Sequence, residues 1–158
     1  MSGRRAFSVR EMRRDDLPTV ARLTAELGYP SPEADVCRRY ELITDRPDAR
    51  LLVACLERGP EASLEQRQDI AGWIHVQALY SLESEPRAEI WGLVVAESSR
   101  GTGAGRLLVE AAEQWAVKRG FTLMGLRSNV ARVEARGFYE HLGYRVVKTQ
   151  NAFRKNLT

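Results

Sequence analysis

The chain has 158 residues, 44% hydrophobic and 28% charged, with a formal net charge of +3 and a pI near 9.1. That length fits a single domain over residues 1–158, large enough to bury a core without disulfides or metal staples, and no apolar run approaches the roughly 20 residues that span a bilayer. The basic residues are scattered among acids without runs or interleaved aromatics, which argues against a nucleic-acid surface and for a small polyanionic ligand; His75 and His141 have no companions at metal-ligand spacing, so no metal site is indicated.

The N-terminus, "MSGRRAFSVR", is basic but leads into no apolar signal core, so a cytoplasmic location is expected. "FSVREM" alternates as a strand does, and "RDDLPTVARLTAELGYP" then places Leu17, Val20, Thr24 and Leu27 at helical spacing, with Asp15 or Asp16 as N-cap and Gly28 as the stop. "SPEADVCRRYELIT" starts a second helix, with Ser31 as cap, Pro32 in the first turn, and Val36, Tyr40 and Ile43 on one face up to about Asp45. "ARLLVACLERG" and "IAGWIHVQALYSL" are strands joined through the polar turn "GPEASLEQRQD" as a hairpin. Cys37 and Cys55 fall in a helix and a strand, where packing as small hydrophobes is the expected role.

"AEIWGLVVAE" alternates Glu89, Trp91, Leu93 and Val95 against Ile90, Gly92 and Val94; with apolar residues on both faces it belongs inside the sheet. A helix to Arg119 with Gly120 as its stop and the strand "FTLMGLR" complete a βαβ unit, for which a parallel pair is expected. "SNVARVEARGFYEHLGYR" is a last helix, striped by Ala135, Phe138, Tyr139 and Leu142, and "YRVVKTQNAFRKNL" supplies closing strands. The expected fold is α/β, a mixed sheet of six to seven strands flanked by about four helices. Gly137 sits unexplained inside the last helix unless something packs closely there.

Between the inner strand and its helix lies "SSRGTGAGRLLVEAAEQWA", with Gly101, Gly103 and Gly105 at alternate positions. Glycines at a helix N-terminus let a phosphate approach unpaired N–H groups at the positive end of the dipole. A nucleoside-triphosphate loop fails because Arg106 and Leu107 follow Gly105 where lysine and Ser or Thr are required. A dinucleotide fingerprint needs a further glycine where Arg106 and Leu108 stand, and an acid after the next strand, which ends in Leu126, Arg127 and Ser128.

The remaining pattern, R-x-x-G-x-G at Arg100, Gly103 and Gly105, resembles that of the GNAT superfamily of N-acetyltransferases. Tyr139, Gly143 and Tyr144 are similar to the family's late motif, "AEIWGLVV" resembles its central strand with an acid, Glu89, at the start, and the order of elements is similar from about Ser8 onward. The resemblance implies acetyl-CoA or coenzyme A as co-substrate, its pyrophosphate cradled by Arg100, Gly101, Thr102, Gly103, Ala104, Gly105 and Arg106. Its pantetheine arm would run along Leu93, Val94 and Val95, with a backbone N–H at Val95 or its neighbour as oxyanion donor.

The same resemblance implies Glu89 as general base, unless it only forms a salt bridge, and Tyr139 as the general acid that protonates the leaving thiolate. Sharing a face with Trp91 would shield Glu89 from water. Asn129 and Arg132 are further cofactor candidates, although Arg132 stands where many relatives have asparagine, and Asn129 equally suits a helix cap. His75 faces either the acceptor pocket or the core. The function so implied is direct acetyl transfer from acetyl-CoA to a primary amine on a small molecule or peptide, with no nucleic-acid or membrane partner and a homodimer left open. The alternative is a catalytically silent acyl-CoA-binding module.

Overall fold

A computed structural model of the protein describes residues 6–59 and 69–158. In chain order the elements are β1 (Phe7–Glu11), α1 (Leu17–Glu26), α2 (Glu33–Thr44), β2 (Ala49–Leu56), β3 (Ile70–Leu79), β4 (Arg87–Val95), α3 (Ala104–Lys118), β5 (Met124–Leu126) and α4 (Val133–His141). The chain packs as two units, one ending at Arg127 and one spanning Ser128–Thr158.

The first unit holds a five-stranded mixed sheet in the order β1-β2-β3-β4-β5. The first four strands pair antiparallel, and β4 and β5 pair parallel, as the βαβ spacing predicts. The expected hairpin between β2 and β3 is present, but most of its connecting turn lies outside the described residues. One sheet face carries α1 and α2: Leu17, Val20, Leu23 and Val36 from the helices meet Val53, Cys55, Ile70 and Val94 from the strands, with Cys37 and Tyr40 at the margin. Each aliphatic side chain fully buried there contributes about 1.5–3 kcal/mol. Both cysteines are unbridged, as packing residues would be. The opposite face carries α3, whose Ala104, Leu108, Val109, Ala112 and Ala116 are buried; a Cβ on Gly72 would lie 3.3 Å from Leu108 Cδ1.

The helix stops expected at Gly28 and Gly120 are present, and Gly143 ends α4 in the same way. Gly28, Gly120 and Gly143 have positive φ. In each case the next residue's N–H reaches back over the last turn, Tyr29 to Thr24 at 3.2 Å, Phe121 to Ala116 at 3.0 Å and Tyr144 to Tyr139 at 3.0 Å, the double-bonded C-terminal cap that only a left-handed residue closes comfortably. The N-termini differ from expectation. A 3₁₀ turn, Arg14–Asp16, precedes α1, and Asp16 has helical backbone angles with no capping bond from its side chain into the helix. Its carboxylate instead accepts from Arg10 and from the Arg13 N–H. At α2 the Pro32 carbonyl accepts from Asp35 and Val36, while Ser31 Oγ accepts from Arg39 and does not cap.

Three further expectations are corrected. The pairing of β3 with β4 slips between His75 and Val76, whose partners are Gly92 and Ile90, leaving Trp91 as an extra residue. This bulge reverses the alternation: Glu89 shares its face with Gly92 and Val94, not with Trp91 and Leu93, and Trp91 is 51% exposed. A bulge bends its strand, and the parallel pairing ends at Ile90 with Leu126, so β5 is three residues long where seven were expected. Finally, the sheet has five strands, not six or seven, because the described residues 145–158 form neither helix nor strand. Alternating apolar residues make a strand only when an edge pairs them and a face covers them, and Val147 and Phe153 are 88% and 90% exposed.

In the second unit α4 carries the expected stripe, half-buried at Ala135, Phe138, Tyr139 and Leu142. A Cβ on Gly137 would meet nothing within 4 Å, so close packing does not explain that glycine. Among the described residues no helix is long and apolar enough to cross a membrane.

Candidate active site

Beyond the bulge β4 pairs with a described strand on one side only. Trp91–Val95 run alongside β3, and among the described residues no strand pairs with them on the side of β5. An unpaired strand edge is a row of backbone donors and acceptors spaced for an extended guest. Leu93 and Val95 are half-buried and Val94 is buried. Gly92 is bare because the Trp73 indole lies against it; a Cβ there would come within 2.8 Å of the ring.

The open edge runs directly into the glycine loop. A short 3₁₀ turn, Glu97–Ser99, is tied to α1 by the Glu97 N–H donating to Glu26 Oε2 at 3.1 Å. Arg100 Nε donates back to the Val95 carbonyl at 3.4 Å, and Thr102 Oγ1 donates to the Ser99 carbonyl. Gly101 and Gly103 have φ of +71° and +95°, and neither would have any atom within 4 Å of an added Cβ. Backbone angle, with open space around it, is therefore what these two positions require. Gly103 is the N-cap of α3; no side chain caps that end, and its first turn holds no acid. Ala104 and Gly105 anchor the turn in the core, so the free N–H groups are fixed in place and the positive end of a 15-residue helix is left for an anion. Arg106 leans away into an ion pair with Glu110, Nε to Oε1 at 2.7 Å.

Glu89, in the paired half of β4, is 3% exposed. Arg87 reaches its Oε2 through Nε at 3.1 Å and Nη2 at 3.0 Å, and Arg127 Nε stands 3.3 Å from Oε1. Gly125 opposite makes room, since a Cβ there would lie 3.1 Å from Arg87 Nε. The salt bridge foreseen as one reading of Glu89 is thus present, with two cations. On the same sheet face, Gln77 sits opposite Glu89 and His75 opposite Gly92. Burial lowers the His75 pKa, and its Nε2, like Nε1 of neighbouring Trp73, is buried without a hydrogen-bond partner. His75 is therefore not a fully satisfied core histidine.

In the second unit, Tyr139 packs edge-on against Phe138 at 5.1 Å and Tyr144 at 5.7 Å between centroids. Burial pushes its phenol up to about 12, which keeps the proton on oxygen throughout the neutral range. Asn129 Oδ1 accepts from the Ala131 N–H at 2.9 Å; that is an Asx turn ahead of α4, whose N-cap is Arg132. Sequence reasoning missed Arg87 and Arg127. The alternation in "RAEIW" puts Arg87 beside Glu89, whereas Arg127 is brought there only by the register of β5.

An open strand edge thus leads into an uncapped, acid-free helix end. The acetyltransferase (GNAT) family model matches residues 9–144. The protein belongs to the GNAT acetyltransferase family. Among curated proteins none matches. Among solved structures, a transcriptional regulator of Bacillus halodurans C-125 is 26% identical with a TM-score of 0.79, covering 95% of this chain and 100% of its own. The aminoglycoside N-acetyltransferase AAC(6')-Iy in complex with CoA is 17% identical with a TM-score of 0.80, covering 98% of both chains. The aminoglycoside 6'-N-acetyltransferase AAC(6')-Ig of Acinetobacter haemolyticus is 17% identical with a TM-score of 0.75, covering 96% of this chain and 99% of its own.

Proposed function

We propose that the protein is an acetyl-CoA-dependent N-acetyltransferase that moves the acetyl group to a primary amine by direct attack. The observation that carries this is the continuity of the open edge Trp91–Val95 with the cradle at Gly101–Gly105. The family match runs through both units, which supports reading residues 1–158 as one acetyltransferase domain. AAC(6')-Iy, a fold neighbour, holds CoA, which supports the same co-substrate here.

In this reading the backbone N–H groups of Gly103, Ala104 and Gly105, with Gly101, Thr102 and Arg100, receive the pyrophosphate, and the edge at Leu93, Val94 and Val95 pairs with pantetheine. Arg106, Asn129 and Arg132 supply peripheral contacts, Arg106 after release from Glu110. The acceptor nitrogen attacks the thioester carbon, and a backbone N–H near Val95 stabilises the oxyanion. Glu89 takes the amine proton directly or through water, the carbon–sulfur bond breaks, and Tyr139 gives its proton to the departing thiolate.

Calorimetry with acetyl-CoA and a thiol-release assay over amines test this. Gly103→Asp puts a carboxylate and a disfavoured left-handed side chain at the cradle, and is expected to weaken acetyl-CoA binding at least about 100-fold, the scale of losing several charge-assisted hydrogen bonds. Undiminished affinity in the folded variant overturns the cradle. Tyr139→Phe keeps the ring contacts and removes one hydroxyl, and is expected to lower turnover about 10²- to 10⁴-fold with cofactor affinity little changed. Retention of more than half the turnover, where chemistry limits the rate, removes Tyr139 from the mechanism. Tight acetyl-CoA binding with no thiol release from any amine would favour the silent binding module.

A further inference from the structure

The charge balance around Glu89 carries an inference about the acceptor, and it rests on the transferase reading above. Arg87 and Glu89 form a neutral pair, and Ser84 Oγ accepts from Arg87 Nη1 at 3.3 Å. Arg127 adds a second guanidinium against the same carboxylate, and its side chain is 70% exposed. Gly125 is opposite Glu89 in the parallel register, and Arg127, just past the end of β5, reaches the same carboxylate. Other groups on that face leave the balance untouched, because Gln77 is uncharged and burial favours neutral His75. Glu83 and Glu85, on the turn before β4, pair with neither arginine, and among the described residues both guanidiniums have Glu89 as their acidic partner. The cluster therefore carries one excess positive charge, placed on the guanidinium that faces solvent, with Nε engaged and the Nη groups directed to no described acid.

We propose that Arg127 anchors an anionic group of the acceptor, and that the acceptor is an amine bearing a carboxylate close to its reacting nitrogen, as an α-amino acid does. A proton acceptor and a guanidinium that touch each other are spaced for the amine and the carboxylate of one small molecule, and a guanidinium fork is the donor geometry a carboxylate fits best. A polyamine or aminoglycoside would instead bring further ammonium groups against Arg127, and like charges at such distances select against a partner. The fold neighbours that acetylate aminoglycosides are thus expected to differ from this chain in acceptor charge.

The test is thiol release from acetyl-CoA with matched pairs, each of several α-amino acids against its α-amide, and with spermidine and kanamycin as polycations. The acids are expected to exceed their amides at least tenfold in kcat/KM, with the polycations below both. Arg127→Gln is expected to raise KM for the acids about tenfold with kcat less affected, drawing the acid-to-amide ratio toward one, and Arg127→Lys to retain part of the preference. Calorimetric affinity for coenzyme A should move less than twofold in either variant. Amides or polycations preferred over acids overturn the proposal while leaving the transferase reading in place. A parallel loss of coenzyme A affinity in Arg127→Gln also overturns it, by assigning the guanidinium to the cofactor's phosphates. Failure of the wild-type protein to bind acetyl-CoA overturns the transferase reading itself, and binding without turnover of any acid in the panel overturns the acceptor proposal.

Discussion

Two acids in this molecule share a description and differ in how they are held. Asp16 and Glu89 are each 3% exposed, and each is held by an arginine on a strand whose side chain is about a quarter exposed, Arg10 at 25% and Arg87 at 24%. Asp16 is closed: Arg10 Nη1 and Nη2 donate to its two oxygens at 2.7 and 2.8 Å, and the Arg13 N–H adds a third bond at 2.7 Å. Those bonds pin the end of β1 to the start of α1, and hydrogen bonding to the carboxylate raises the Arg10 pKa. Among the described residues no backbone N–H donates to Glu89; one oxygen meets Arg87 and the other an exposed arginine at 3.3 Å. Burial and a cationic partner therefore do not separate the two acids. What distinguishes them is whether every oxygen is committed to fixed parts of the chain.

The strongest separation should come from Glu89→Gln. If Glu89 takes the amine proton, turnover near neutral pH is expected to fall about 10²- to 10⁴-fold, the range for a positioned acid–base group. Amines with a pKa of about 10.4 are then increasingly deprotonated by solvent as pH rises, so the loss should shrink toward high pH. A pH–rate profile of the variant checks this; an equal loss at every pH would make Glu89 a structural acid like Asp16.

Asp16→Asn should show the converse pattern. It keeps one carbonyl acceptor but removes the charge-assisted pair, and with Arg10 still partly hydrated the expected cost is about 2 kcal/mol, less than for a fully buried pair. For a chain of this length that is a fall in Tm of about 4–8 °C, read by calorimetry. Turnover per folded molecule is expected to stay within about twofold, because Asp16 lies far along the sheet order from β4, at the β1 end. A large loss of turnover with unchanged stability would erase the distinction between the two acids.

How far this contrast was legible in sequence depends on the range of the interactions that create it. Element order through α4, the glycine stops at Gly28 and Gly120, the parallel β4–β5 pair and the glycine entry to α3 at Gly103 are written in local spacing, and local spacing sets helix, strand and turn. The candidacy of Glu89 and Tyr139 rested on resemblance, beyond what composition or periodicity offers. The bulge at Trp91 was hidden because a one-residue slip leaves the apolar pattern of β4 intact while exchanging its faces. Asp16 looked like a helix cap because its spacing from α1 suits one, whereas Arg10 on β1 competes for the same oxygens. Arg127 reaches Glu89 through a register no single strand encodes, and the alternation in residues 145–158 promised strands, whereas those residues pair with no described strand.

The finest probe of the contrast is Gly125→Ala, which touches one acid's setting and leaves the other alone. An alanine Cβ at that position would lie 3.1 Å from Arg87 Nε, 3.4 Å from its Cδ and 3.8 Å from Glu89 Oε2. The first contact is tighter than side chains ordinarily make, but Arg87 is a long side chain and can yield by a few tenths of an ångström. The expected cost in stability is therefore below about 1 kcal/mol, under the usual range for overpacking a rigid core. Moving the guanidinium loosens its hold on Oε2 and shifts the weight of Glu89 toward Arg127, so acceptor KM should change several-fold while coenzyme A affinity, set at the far end of β4, stays put. The Asp16–Arg10 pair should be unaffected by Gly125→Ala, so in a Gly125→Ala, Asp16→Asn double variant the two losses should add to within about 0.5 kcal/mol, as for sites with no shared partner. Coupling larger than that between residues at opposite ends of the sheet would mean that the two acids are not independent, and that the geometry around Glu89 is held by the same scaffold that Asp16 fastens.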